Sequence, residues 1–151
     1  MLNKYFPNLI NHFSEFVKAI LETSQMMLIS GSLTILIGLV IGVILVITKP
    51  KGIMEHKLFN RITEFFTNLV WSIPFLILYM MLNPVVRIIF KQNSLRVPGS
   101  IIPLVIGSIP FFVRQVENAL SEVNPGLIEA AQAMGSSNFE IITRVYLKES
   151  I

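Results

Sequence analysis

Catalysis has few groups to work with in this chain. Aspartate and cysteine are absent from its 151 residues, and no carboxylate pair falls in its apolar stretches. General acid–base or metal chemistry needs converging groups. His12 and His56 fall instead in amphipathic or loop segments, as solvated side chains do. No catalytic residue and no metal ligand set is therefore assigned, and no GxxxxGK[ST] loop is present to hold a nucleotide. The residues whose arrangement suggests a task are Glu129, Ala130, Ala131, Ala133 and Gly135. The alanines make a slim helix whose backbone can enter a narrow groove on a partner. Glu129 sits near the helix start, where the dipole favours a negative charge, and Gly135 is a natural C-terminal stop. Such a segment suits contact rather than bond-making chemistry. A plain alanine-rich amphipathic helix would contain the same residues, and on physical grounds alone that plainer reading is preferred.

The elements that would carry this segment are apolar. Hydrophobic residues make up 53% of the chain and charged ones only 14%, far from the balance of a soluble domain. Residues 23–48, 65–86 and 97–113 contain no Asp, Glu, Lys or Arg. At about 1.5 Å per residue, roughly 20 residues cross a hydrocarbon core about 30 Å thick. The first run is ample, the second adequate, and the third at the lower limit, where a buried soluble helix is the alternative. The excess of positive charge, +3 overall, lies between the apolar runs, where membrane topology explains it without nucleic acid.

Residues 1–22 alternate Phe6, Leu9, Ile10, Phe13, Phe16, Val17, Ile20 and Leu21 with polar residues at helical spacing. This predicts an amphipathic helix, lying on the membrane surface or packed on a neighbouring subunit. A cleavable leader is not expected, because the following apolar run is too long for one. The first span, 23–47, carries Gly38 and Gly42 at GxxxG spacing, which lets another helix approach closely. A connection at 48–65 leads to a second span, 66–86, kinked at Pro74. A short loop, 87–96, leads to a third span, 97–113, kinked at Pro110. Ser72-Ile73-Pro74-Phe75 recurs as Ser108-Ile109-Pro110-Phe111; proline-kinked spans can line a transport pathway, and coincidence also accounts for so short a match. Lys and Arg number seven around 48–65 and the tail and five on the other side. The bias places the N-terminus and 87–96 outside, and 48–65 and 114–151 in the cytoplasm.

Beyond Arg114 the pattern turns amphipathic. Asn124 can cap a helix that has Pro125 at its first position; this helix stops at Gly135. Ser137 and Glu140 have capping-box spacing and open a second helix with Phe139, Ile142, Val145 and Tyr146 on one side.

Glu129-Ala130-Ala131, three residues and then Gly135 resemble the EAA motif of importer-type ABC transporter permeases. The run from Arg114 to Leu147, with WSIPFLIL and the stretch from Val97 to Phe112, is more similar to the methionine-import permeases than to those for histidine and other polar amino acids. The resemblance extends from about residue 20 to 147. It implies an all-α membrane protein with an amphipathic N-terminal helix, three transmembrane helices and a cytoplasmic coupling helix–turn–helix over 114–151. It further implies a multi-pass protein of the bacterial plasma (inner) membrane, the permease subunit of an ATP-driven amino-acid importer, methionine its cargo. In that family the loop docks into a cleft of a separate ATP-hydrolysing subunit. The partners implied are a pair of ATP-binding subunits, a second permease copy, an extracellular or periplasmic solute-binding protein and the lipid bilayer. No cofactor is expected on this chain, ATP being bound by the partner. The family usually closes the motif with a proline, but Val145, Tyr146, Leu147 and Lys148 stand there, and its members continue into further spans. The matching expectation is a chain truncated after the loop that does not transport by itself. The alternative function is a small membrane protein that only binds a partner subunit.

Overall fold

The computed structural model describes residues 12–91, 97 and 99–150. The expected surface helix therefore lies partly, over residues 1–11, outside the described residues, as does the second half, 92–96, of the 87–96 loop.

Helix α1 (Phe13–Thr48) runs for 36 residues without a break, about 54 Å at 1.5 Å per residue. The boundary expected at residue 22 is absent: residues 13–22 continue straight into the apolar run. No proline interrupts them, and the Thr23, Ser30 and Ser32 hydroxyls donate back to the carbonyls of Ala19, Met26 and Leu28. Pro50 ends the helix by forcing Lys49 out of helical geometry, to φ −55° and ψ 157°. Lys51, with φ at 68°, and a Gly52 N–H bond to the Lys49 carbonyl (2.8 Å) turn the chain back.

Helix α2 (Lys57–Ser72) starts under a cap from His56, whose ring accepts the Phe59 N–H at 3.2 Å. Buried Asn60 clips it to the end of α1, donating to the Leu45 carbonyl (2.8 Å) and the Thr48 hydroxyl (3.1 Å). At Pro74 the ring removes a donor and holds Ile73 extended, at φ −85° and ψ 123°. Helix α3 (Phe75–Phe90) leaves at 103° to α2. The expectation of one kinked segment over 66–86 is thus corrected to two helices. Pro84 and Pro110 each lie inside a helix that continues past them.

Helix α4 (Ile101–Ser121) starts later than the expected boundary at 97 and runs well past 113. It lies parallel to α1: the Ser100 hydroxyl reaches the Met26 sulfur, Gly38 faces Phe112, and Gly42 faces Val116. The contact is a seam of small residues, Ser30, Thr34, Gly38 and Gly42, all buried at four-residue spacing. A Cβ on Gly38 would come within 2.7 Å of the Phe112 ring, and one on Gly42 within 2.6 Å of Val116 Cγ1. These glycines are the reason the two backbones approach so closely. By length and apolarity, α1 alone among the described helices would cross a bilayer unaided; α2 and α3 qualify only as a bent pair. The apolar part of α4, 101–113, is about 20 Å long.

Candidate coupling site

A second packing centre forms where α1 and α4 end. Val46 and Ile47 from α1 and Val116, Leu120 and Val123 from and just beyond α4 bury against Ala131, Ile141 and Tyr146 of the tail. This core seats a helix–turn–helix. Asn124 caps helix α5 (Pro125–Ala133) by accepting the Gly126 N–H at 2.8 Å, and Pro125 fills the position where a missing donor costs nothing. The helix closes in a Schellman turn: the Ser136 N–H bonds the Ala131 carbonyl (3.1 Å) and the Gly135 N–H bonds that of Gln132 (3.0 Å). Gly135 at φ +81° provides the left-handed residue this turn needs.

Ser137 then opens a capping box with Glu140, whose carboxylate accepts the Ser137 N–H at 3.0 Å. Donation from the Ser137 backbone and hydroxyl, foremost, holds the Glu140 carboxyl below its ordinary value. Helix α6 (Asn138–Glu140) passes directly into a π-helical stretch, Ile141–Tyr146, and helix α7 (Leu147–Glu149). The wider winding brings Ile141 and Tyr146, five apart, to the inner face, where both are buried. Burial pushes the Tyr146 hydroxyl's pKa up. The expected inner stripe is corrected accordingly: Ile142 and Val145 are half-buried, and Phe139 points outward, 73% exposed.

The proposed docking residues separate into two faces. Glu129, Ala130, Ala133 and Gly135 are exposed. Ala131 is only 5% exposed and belongs to the chain's own core, so the expectation that it faces a partner is corrected. It is small because α5 must lie close to Ile141 and Tyr146. Leu127 and Met134 (80% exposed) complete the outer face with Phe139. Sequence reading passed over Met134 and Leu127; an apolar residue at each end of an alanine-rich helix was the available signal.

An ionic cluster ties the module to the helices above it. Lys49 reaches Glu117 at 2.8 Å, and Arg114 bonds both Glu117 and Asn68 of α2 and lies 3.7 Å from Glu64. The Glu117 side chain is 11% exposed. Burial, the largest single influence, pushes its carboxyl up, but the hydrogen bonds and charges of Lys49 and Arg114 together hold it below its ordinary value. Because the folded value is the lower one, the ionised carboxylate stabilises the fold above the ordinary carboxylate range. That contribution is lost as pH falls through the lowered value. Glu117→Ala leaves two cations without their shared counter-charge and is expected to cost about 2 kcal/mol. Thermal unfolding between about pH 6 and pH 3 checks this: the variant's midpoint should lose less on acidification than the parent's.

A parallel α1–α4 pair joined by a small-residue seam, a proline-broken helix pair and a capped helix–turn–helix beyond α4 make an all-helical arrangement among the described residues, with α1 long and apolar enough to cross a membrane. Residues 34–151 match the family described as the binding-protein-dependent transport system inner membrane component, and the chain belongs to that family. It is 40% identical over 135 residues to the D-methionine transport system permease protein MetI of Salmonella typhimurium, and 38% identical to that of Escherichia coli K12. Each alignment covers 89% of this chain and 62% of the relative. A solved inward-facing structure of the MetNI methionine ABC transporter contains a chain matching at a TM-score of 0.85 and 38% identity, over 89% of this chain and 62% of that one. The chain thus spans somewhat under two thirds of the length of the curated relatives it matches.

Proposed function

We propose that this chain acts as a permease subunit of an ATP-driven amino-acid importer, with methionine or a close analogue as cargo, in the bacterial plasma membrane. The observation that carries the reading is the outward face of the helix–turn–helix: Leu127, Ala130, Ala133, Met134 and Phe139 are exposed on a segment locked by two caps and a Schellman turn. A rigid, slim, apolar surface of this kind suits a cleft on a water-soluble partner. The partner is an ATP-binding subunit, present as a pair with two permease copies, and an extracellular or periplasmic binding protein delivers cargo. The similarity to the D-methionine permeases and the MetNI assembly supports that set of partners.

ATP binding by the partners moves the docked module. The core shared by α1, α4 and the tail, together with the Lys49–Glu117–Arg114–Asn68 cluster, carries that motion to α2 and the break at Pro74. The proposed topology has the N-terminus outside, 48–65 and 114–151 in the cytoplasm, and spans along α1, the bent α2–α3 pair and α4. The register supports the alternation of these spans, because α1 and α4 run the same way and α2 runs against both, while the side each end faces rests on the Lys and Arg bias.

Single cysteines at Lys51, Gln92 and Gln132, treated with a membrane-impermeant thiol reagent on intact cells, test the arrangement. Only the Gln92 position should react before the cells are opened; labelling at Gln132 would overturn it. Uptake of labelled methionine, in cells lacking their own importer and supplied with the partner subunits, tests the cargo. ATP-dependent uptake of histidine but not methionine would contradict it.

A further inference from the structure

Helix α2 is built the reverse of a water-facing helix. Its polar residues turn inward: Asn60 bonds the end of α1, Glu64 and Asn68 meet Arg114, and Thr67 is buried. Leu58, Phe59, Ile62, Phe65, Phe66 and Leu69 fill the opposite arc, and all six are exposed. An apolar medium suits that arc, and its composition separates lipid from protein. Close helix contacts in a membrane favour small residues, as the seam of Ser30, Thr34, Gly38 and Gly42 illustrates. The outer arc of α2 holds only large side chains, which suit flexible acyl chains better than a second helix.

The start of α2 adds charge of one sign. The Glu55 carboxylate accepts the Lys51 N–H at 2.9 Å and pairs with Lys57 at 3.2 Å, which gathers both lysines beside it. Arg61 stands four residues from both Lys57 and Phe65, and so on the edge of the apolar arc. All three cations are exposed. Among the described residues, the side chains of Lys51 and Arg61 have no carboxylate at ion-pair distance. Three cations thus share one carboxylate at the mouth of an apolar face.

We propose that the outer face of α2 binds an anionic phospholipid. Its acyl chains lie along Ile62, Phe65, Phe66 and Leu69, and its phosphate meets Lys51, Lys57 and Arg61. Long cationic side chains reach the headgroup level while their stems cover apolar surface. Large apolar residues beside a basic edge are the composition of helices that settle at a charged lipid surface. The site needs neither cargo nor an ATP-binding partner, so it stands apart from the importer reading. It also holds whichever side of the membrane the start of α2 faces.

Brominated acyl chains quench tryptophan on contact, and Trp71 is the chain's single tryptophan. Trp71→Phe keeps a ring on Phe111 and clears the background, and Phe65→Trp then places a reporter on the face. Ile62→Trp, also outward, gives a second reporter should the first disturb folding. The full chain is reconstituted in vesicles of phosphatidylcholine and phosphatidylglycerol, with one lipid or the other brominated. Phosphatidylglycerol should be enriched roughly fivefold at the reporter, the share of about one cation near an anionic surface. Replacing Lys51, Lys57 and Arg61 together by Gln should remove the enrichment. Lys18→Gln, toward the far end of α1, should leave it unchanged. No quenching by either lipid at either reporter would mean that a further span or a second copy covers the face, and would overturn the proposal. Equal quenching by the two lipids, or an enrichment that survives the triple replacement, would overturn it as well.

Discussion

Gly42→Leu is expected to abolish the α1–α4 pairing and leave the chain at background levels in membranes. The Cβ alone would lie 2.6 Å from Val116 Cγ1 and 3.2 Å from the Val113 carbonyl oxygen, and backbone cannot swing aside as a side-chain tip can. Lipid supplies no hydrophobic push to hold two helices together once close packing is lost. Overpacking of this kind costs about 1–3 kcal/mol, occasionally more, and here it falls on the longest contact in the fold. Gly31→Leu is the matched control, since a Cβ there meets nothing within 4 Å. Membrane-fraction abundance and thermal aggregation of the two variants decide the matter; equal behaviour would mean the seam does not hold the helices.

Ala131→Trp should be the second most damaging change, by about 3 kcal/mol. Ala131 touches the core made by Val46, Val116, Leu120, Ile141 and Tyr146, so an indole displaces the tail from the helices above it. Limited proteolysis should then cut within 122–150, where the parent resists. Gly135→Val should cost less, about 1–2 kcal/mol, because it strains one residue at φ +81°. If a partner subunit fails to bind Ala131→Trp, that loss reports internal unfolding, whereas a change at exposed Met134 or Phe139 reports the docking face itself.

Local chemistry made the tail legible. Asn124, Pro125, Gly135, Ser137 and Glu140 each satisfy or end a helix terminus through neighbours in sequence, and all five act in the structure as their types and spacing predict. The GxxxG pair was legible as a possibility and became specific only when Phe112 and Val116 were found against it. What sequence hid was direction. An alanine is equally at home in a partner's groove and in its own core, so the burial of Ala131 depended on residues 10 and 15 positions away. The helical stripe through Phe139 failed because the chain winds as a π-helix from Ile141, which changes which residues share a face. Pro74 signalled a disturbance, but a kink and a 103° break differ in tertiary support that no single residue encodes. The continuity of α1 across residue 22 was hidden for the opposite reason: a change from amphipathic to apolar needs no change in backbone.

The central claim, that the outer face of the helix–turn–helix docks an ATP-binding subunit, is tested most directly by site-specific photocrosslinking. A benzophenone side chain placed at Met134, Phe139 or, as control, the strongly exposed Ile88 of α3 is activated in membranes containing both proteins. The account predicts crosslinks to the ATP-binding subunit from Met134 and Phe139 and none from Ile88. A subunit that co-purifies with the chain yet crosslinks from neither Met134 nor Phe139 would contradict it.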